Sequence, residues 1–234
     1  MITELITDND RTRCAVALAA AVSLLSGAVV MGGAVVSTSD HLTPTEHNLD
    51  AEYKKTIEEK LFVTGGDYGR VLVMVGGTEG EYSVSVHSDQ NSPTGVTATF
   101  TKAEKNVADA TWAANENRVD AASIGVVRID VAIPKSAALV IAQAWKRMLS
   151  TARQIYPSGK AEDVVLDGTN IELSLQEANA SLREALITPA SRGSKVTALR
   201  QAIELLARYC SAKPPDRPSI AREIQDKCGA ILGP

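Results

Sequence analysis

The chain has 234 residues, 44% of them hydrophobic and 22% charged. That balance excludes a disordered or fibrous polypeptide and allows one ordinary domain with its own core. A formal net charge of −4 with no basic cluster along the chain argues against nucleic acid as the main partner. Three cysteines are too few for a fold built on disulfides.

The first organised stretch is an apolar, uncharged run from Cys14 to Val36. At ~1.5 Å per residue, a helix of this length crosses the ~30 Å hydrocarbon core of a bilayer. Arg11 and Arg13 precede it, and no Lys or Arg follows until Lys54. Basic flanks stay on the cytoplasmic side. The expectation is therefore a cytoplasmic tail over 1–13, a transmembrane anchor over 14–36, and the remainder outside the cytoplasm. A cleaved signal sequence is the alternative, but its apolar core usually spans ~7–15 residues, and this run is longer. Ala28 and Gly32 form a small-xxx-small pair through which membrane helices approach closely, so self-association is an open option.

Residues 37–48 are polar and interrupted by Pro44, and read as a stalk. His41 and His47 lie there without a regular scaffold to fix ligand geometry, so no metal is expected. A single soluble domain then fills 49–234. Leu49, Tyr53, Ile57 and Leu61 recur every four residues and predict a helix that Gly65-Gly66 ends. The period then changes to two. Val71, Val73 and Val75 share one face, as do Tyr82, Val84 and Val86, then Val96, Ala98 and Phe100. Ser and Thr fill the alternate positions, and Gly, Asn and Pro fill the turns. This predicts an antiparallel meander with one wet face, on which His87 lies. Residues 102–123 are Ala-rich, contain Trp112 and fit no single template. Val127, Ile129, Val131 and Ile133 alternate again up to Pro134.

The apolar stripe of Ala137, Ile141, Ala144, Trp145, Met148, Leu149 and Ala152 predicts a helix over 136–154 that packs on the sheet. Asp167-Gly168 suits a two-residue type I′ turn. It predicts a hairpin over 163–175 in which Val164 pairs with Ile171 and Asp163 faces Glu172. A short strand over 182–187 follows. Val196, Leu199, Ile203, Leu206 and Cys210 predict a helix from Ser194. Ile220, Ile224, Cys228 and Ile231 predict a last helix from about Ser219. The fold class expected is α+β, an antiparallel sheet with helices packed on one face.

The sequence carries no G-x-S-x-G and no phosphate loop, and no cofactor is expected. The candidate chemistry is acidic. Asp163, Asp167 and Glu172 would act as hydrolytic carboxylates, with or without a metal, in a pocket where they meet His87. Arg147, Arg153 and Lys160, around the exit of the Trp145 helix, form a candidate surface for an acidic partner. Cys210 and Cys228, on the inward faces of two successive helices, are expected to form a disulfide if the domain lies in an oxidising compartment. Two functions follow. One is a membrane-anchored binding module that acts on another envelope protein through its surface. The other is a membrane-anchored carboxylate hydrolase.

The order Trp145-x-x-Met148-Leu149, Arg153, Asp167-Gly168-Thr169, Thr188-Pro189, Gly193-Ser194, Leu199, Leu206 and Tyr209 resembles a pattern in small uncharacterised bacterial envelope proteins. It covers residues 134–212. The resemblance implies an envelope location and a helix–hairpin–helix fold, and brings no activity with it.

Overall fold

The computed structural model describes residues 42–44, 51–62, 67–74, 80–107, 124–152, 169–175, 183–187 and 193–233. The run 14–36, with Ala28 and Gly32, lies outside these residues, as does 108–123 with Trp112. Among the described residues no helix is long and apolar enough to cross a membrane.

The fold is α+β. Seven strands make one antiparallel sheet: β1 (Thr43–Pro44), β2 (Gly69–Met74), β3 (Tyr82–Ser88), β4 (Val96–Ala103), β5 (Val126–Ala132), β6 (Asn170–Leu175) and β7 (Arg183–Ile187). The order across the sheet is β1-β7-β6-β2-β3-β4-β5. Strands β2 to β5 form the expected meander. The chain then crosses one face as helix α2 (Lys135–Ser150) and returns on the free edge of β2 as β6. Two further helices complete that face, α3 (Ser194–Ser211) and α4 (Arg217–Leu232). Helix α2 covers β2, β6 and β7, α3 covers β3, β4 and β5, and α4 lies between them in contact with both.

The two-residue period explains the main core. Val71, Val73, Val84, Val86, Ala98, Phe100, Ile171, Leu173 and Leu175 all turn to the helix face. They meet the stripes Ala137/Ile141/Trp145/Met148 and Val196/Leu199/Ile203/Leu206. Trp145 lies directly over β2. A Cβ on Gly69 would stand 1.8 Å from Trp145 Cε3, and Gly69 has φ +120°. Only glycine lets the indole approach the strand this closely. Helix α3 is tied to the sheet by Tyr209, whose hydroxyl donates to the Ala132 carbonyl at 2.8 Å. Helix α4 is tied to α2 by Gln225 Nε2 donating to Ser136 Oγ at 3.2 Å.

Several expectations are corrected. Helices occupy both faces of the sheet, because α1 (Ala51–Leu61) packs on the face opposite α2–α4. Residues 163–168 of the expected hairpin lie outside the described residues, and the expected pairing of Val164 with Ile171 is not available. β6 is paired on both edges, Ile171 with Val73 of β2 and with Ile187 of β7, so no ladder position remains for Val164. The segment read as a stalk enters the sheet at Leu42–Pro44. Leu42 is fully buried, and β1 sits at the sheet edge, where a strand proline is tolerated.

The Ser/Thr face is dry, not wet: Ser83, Ser85, Thr97, Thr99 and Thr101 are at most 5% exposed, and His87 is buried with them. Short hydroxyl side chains are buried at low cost when they are hydrogen-bonded. Thr97 donates to Asp89, Thr99 to Asp130, and Ser83 to the Leu61 carbonyl at the end of α1.

The expected disulfide is absent, and Cys210 and Cys228 are free and buried. Cys210 is the next-to-last residue of α3, whereas Cys228 lies eleven residues into α4. In a helical hairpin these positions are about 16 Å apart along the axis, far beyond the ~7 Å limit for a bridge. Burial pushes both thiols up to about 12 from the ordinary 9.0. At pH 8 they should react with iodoacetamide roughly a thousandfold more slowly in the native protein than after unfolding. Alkylation followed by mass spectrometry checks this, and rapid labelling without unfolding would contradict the burial.

Trp145→Ala should cost about 3–5 kcal/mol in denaturant melts, since a cavity opens over Gly69 that the sheet backbone cannot fill. A variant that melts with the wild type would place the indole outside the core.

Candidate functional site

The polar face of the sheet gathers most of the buried charge, and α1 positions it. Tyr53, Ile57 and Leu61 form the inner stripe of α1. They pack on Leu72, Ala103, Val107 and Ile124, with Phe62 and Met74 at the margin. This second, smaller core sits beside charged groups that alternate with the valines of the main core. Alternation along β2 places Arg70, Leu72 and Met74 here, and alternation along β6 places Glu172 and Ser174 here.

Arg70 is the centre of one cluster. Its Nε donates to Ser174 Oγ at 2.8 Å, and its Nη2 lies 3.9 Å from Glu184 Oε1. Its guanidinium stacks over the Phe62 ring at 4.1 Å from the centroid. The Arg70 and Glu184 side chains are 20% and 13% exposed, so this pair is screened less than a surface pair. The planar guanidinium satisfies an anion and an aromatic face together, which an ammonium does less well.

Glu81 is the centre of the second cluster and is 2% exposed. Its Oε1 accepts the Tyr53 hydroxyl at 3.3 Å, and its Oε2 accepts the Val107 amide at 2.6 Å. The cleft between α1 and the sheet is lined by Tyr53, Phe62, Arg70, Glu172 and Glu184, among others, and its volume is about 10 Å³. That is room for about one water molecule.

Of the hydrolase residues singled out from the sequence, only Glu172 and His87 are described, and these two are not brought together. Glu172 lines the cleft, but its ladder neighbours are Leu72 and Leu186. Asp163 and Asp167 lie outside the described residues. His87 sits in the ladder opposite Thr97, two strands and four residues from Glu172, or roughly 16 Å by sheet geometry. Its Nδ1 and the Thr101 hydroxyl have no hydrogen-bond partner among the described residues. Among the described residues no three His, Cys, Asp or Glu side chains converge as a metal site. Arg147 is exposed in the last turn of α2, while Arg153 and Lys160 lie outside the described residues.

Arg70, Glu81 and Glu184 were missed in the sequence. A signal for Arg70 was present. Its strand face also carries Leu72 and Met74, and a face with two large apolar residues beside an arginine is a covered face. Glu81 precedes its strand and gave no signal.

No family model, no curated protein and no solved structure matches this chain.

The Tyr53 phenol is held far above its ordinary value of 10.0, chiefly by burial and then by the charge and hydrogen bond of Glu81. The folded pKa is raised, so the stability contributed by the neutral phenol is complete below pH 10 and is lost as pH rises beyond it. Tyr53→Phe should flatten the alkaline limb of the stability curve. It should also cost about 1–3 kcal/mol at neutral pH by removing a donor from a buried carboxylate. Chemical denaturation of both proteins between pH 7 and 11 tests it, and parallel curves would remove Tyr53 from the α1 contact.

Proposed function

We propose that this chain is a membrane-anchored binding module on the outer side of a bacterial envelope, acting on another envelope protein through its surface. The observation that carries this reading is the engagement of the buried charges. Arg70 is held by Ser174, Glu184 and Phe62, and Glu81 by Tyr53 and Val107. The cleft beside Arg70, between α1 and the sheet, holds about 10 Å³, whereas pockets for small molecules run to ~300–1,000 Å³. Charges arranged in this way stabilise α1 on the sheet, and this cleft has room for about one water molecule. The alternative is a hydrolase using Asp163, Asp167 and Glu172; Glu172 lines the cleft together with Glu184, and Asp163 and Asp167 lie outside the described residues.

The anchor rests on the uncharged Cys14–Val36 run and on the Arg11/Arg13 flank. The resemblance over 134–212 points to the same location. An alkaline phosphatase fusion after Pro234 should be active and should fractionate with membranes. An inactive fusion would overturn the orientation, and an active but soluble product would convert the anchor into a cleaved signal.

A further inference from the structure

We infer that the edge of the domain formed by β1 and the outer flank of α2 docks on an anionic lipid surface through Lys135, Leu139 and Lys146. This rests on the anchored reading and specifies which side of the domain meets the bilayer.

Chain length sets the first constraint. Val36 closes the apolar run, and Leu42 is already fully buried in the sheet. The six residue steps between them reach at most about 22 Å. A run that spans the bilayer therefore holds the domain close to the headgroups, and holds it by β1. That strand is at the extreme edge of the sheet, paired only to β7 among the described residues.

The helix layer sets the second constraint. Helix α2 lies over β2, β6 and β7, and α4 separates it from α3. The flank of α2 away from α4 therefore overhangs the β1–β7 edge. Ser136 marks the α4 side through its bond with Gln225. At 100° per residue, Lys135, Leu139 and Lys146 fall within about 40° of one another, about 60–100° round from Ser136 and away from α4. Arg147 falls about 120° round from Lys135, toward α4. All three flank residues are exposed, and Leu139, at 45%, is the most exposed large hydrophobic residue described. Helix α2 carries Lys135, Lys146 and Arg147 and no acidic residue.

A single aliphatic side chain between two lysines suits an interface of lipid headgroups. The leucine enters the acyl boundary, and the lysine stems lie along it with their ammonium groups on the phosphates. An acidic protein would use the same charges, but the short reach from Val36 places the bilayer, not a diffusing partner, opposite this edge.

The test uses the full-length chain in nanodiscs of phosphatidylcholine, with or without phosphatidylglycerol. The acetylation rate of each lysine is read by mass spectrometry. Lys135 and Lys146 should be protected about fivefold or more by phosphatidylglycerol. Added salt should reverse the protection, and Leu139→Asp should weaken it without changing the melting curve. Lys213, exposed at the α3–α4 turn, should react equally in both lipids.

A chain that incorporates into discs but acetylates equally in both would overturn this edge and keep the anchor. A chain that fails to incorporate, yet binds phosphatidylglycerol vesicles with the same two lysines protected, would overturn the anchor and keep the edge. Protection by soluble polyglutamate but not by phosphatidylglycerol would assign the edge to an acidic protein and overturn the lipid proposal. Neither incorporation nor vesicle binding would overturn both.

Discussion

The ladder between β2 and β6 is the interaction on which the rest of the fold depends. It joins residues about a hundred positions apart, Arg70 with Ser174 and Val73 with Ile171. Without it the meander β2–β5 would end at an open edge, and β6, β7 and β1 would have nothing to build on. The ladder also forces α2 to cross the sheet between β5 and β6, which brings Trp145 over Gly69. On the opposite face the same register puts Ser174 within a hydrogen bond of Arg70 and Glu184 beside it. A long-range pairing closes late, because loop entropy must be overcome before its contacts form. The meander and the α3–α4 hairpin are the units with local contacts able to form first.

The two faces of the sheet are stabilised by different physics. The helix face is a continuous apolar core in which volume and shape decide. The α1 face mixes a small apolar cluster with the half-buried Arg70–Glu184 pair and the buried carboxylates of Glu81 and Glu172. That arrangement is costly unless every charge is matched, since an unpaired buried ion is destabilising by several kcal/mol. Here Arg70 and Glu81 each have specific partners, and those of Glu81 include Tyr53 of α1, which fixes where the helix sits. The C-terminal end of α1 is fixed in the same way, with Ser83 donating to the Leu61 carbonyl that the helix leaves without an intrahelical partner. The same interactions that bury Arg70 and Glu81 therefore specify where the helix docks.

How much of this was legible in the sequence varies with the range of the interaction. Periodicity placed α2, α3 and the strands β2–β5 within a few residues of their bounds, because the apolar pattern is a property of each segment alone. The Val164–Ile171 pairing read from Asp167-Gly168 failed for the same reason. It describes what the local chain prefers, whereas β6 is claimed on both edges by β2 and β7. The wet face was misjudged because serine and threonine are polar in isolation, yet Ser83, Thr97 and Thr99 find acceptors in the Leu61 carbonyl, Asp89 and Asp130. Leu42, a single leucine in a polar stretch, gave too short a pattern to predict a strand. The Cys210–Cys228 bridge failed on arithmetic the sequence does contain. Both cysteines lie on inward helix faces, but a helical hairpin aligns positions equidistant from its turn, and these are not.

That last point changes what the thiols say about location. Their separation along the hairpin forbids a bridge in any compartment, so free Cys210 and Cys228 are as compatible with an oxidising environment as with a reducing one. Charge is the more informative property, and its sum conceals its distribution. Residues 135–150 and 194–232, which build α2, α3 and α4, hold ten Lys and Arg against four Asp and Glu, a net of +6. The rest of the chain holds fourteen against twenty-four, a net of −10. The fold gathers the first group into one layer and leaves the acidic remainder to the sheet, α1 and the other segments. A domain polarised in this way orients in the field of any charged surface, helix layer toward negative charge.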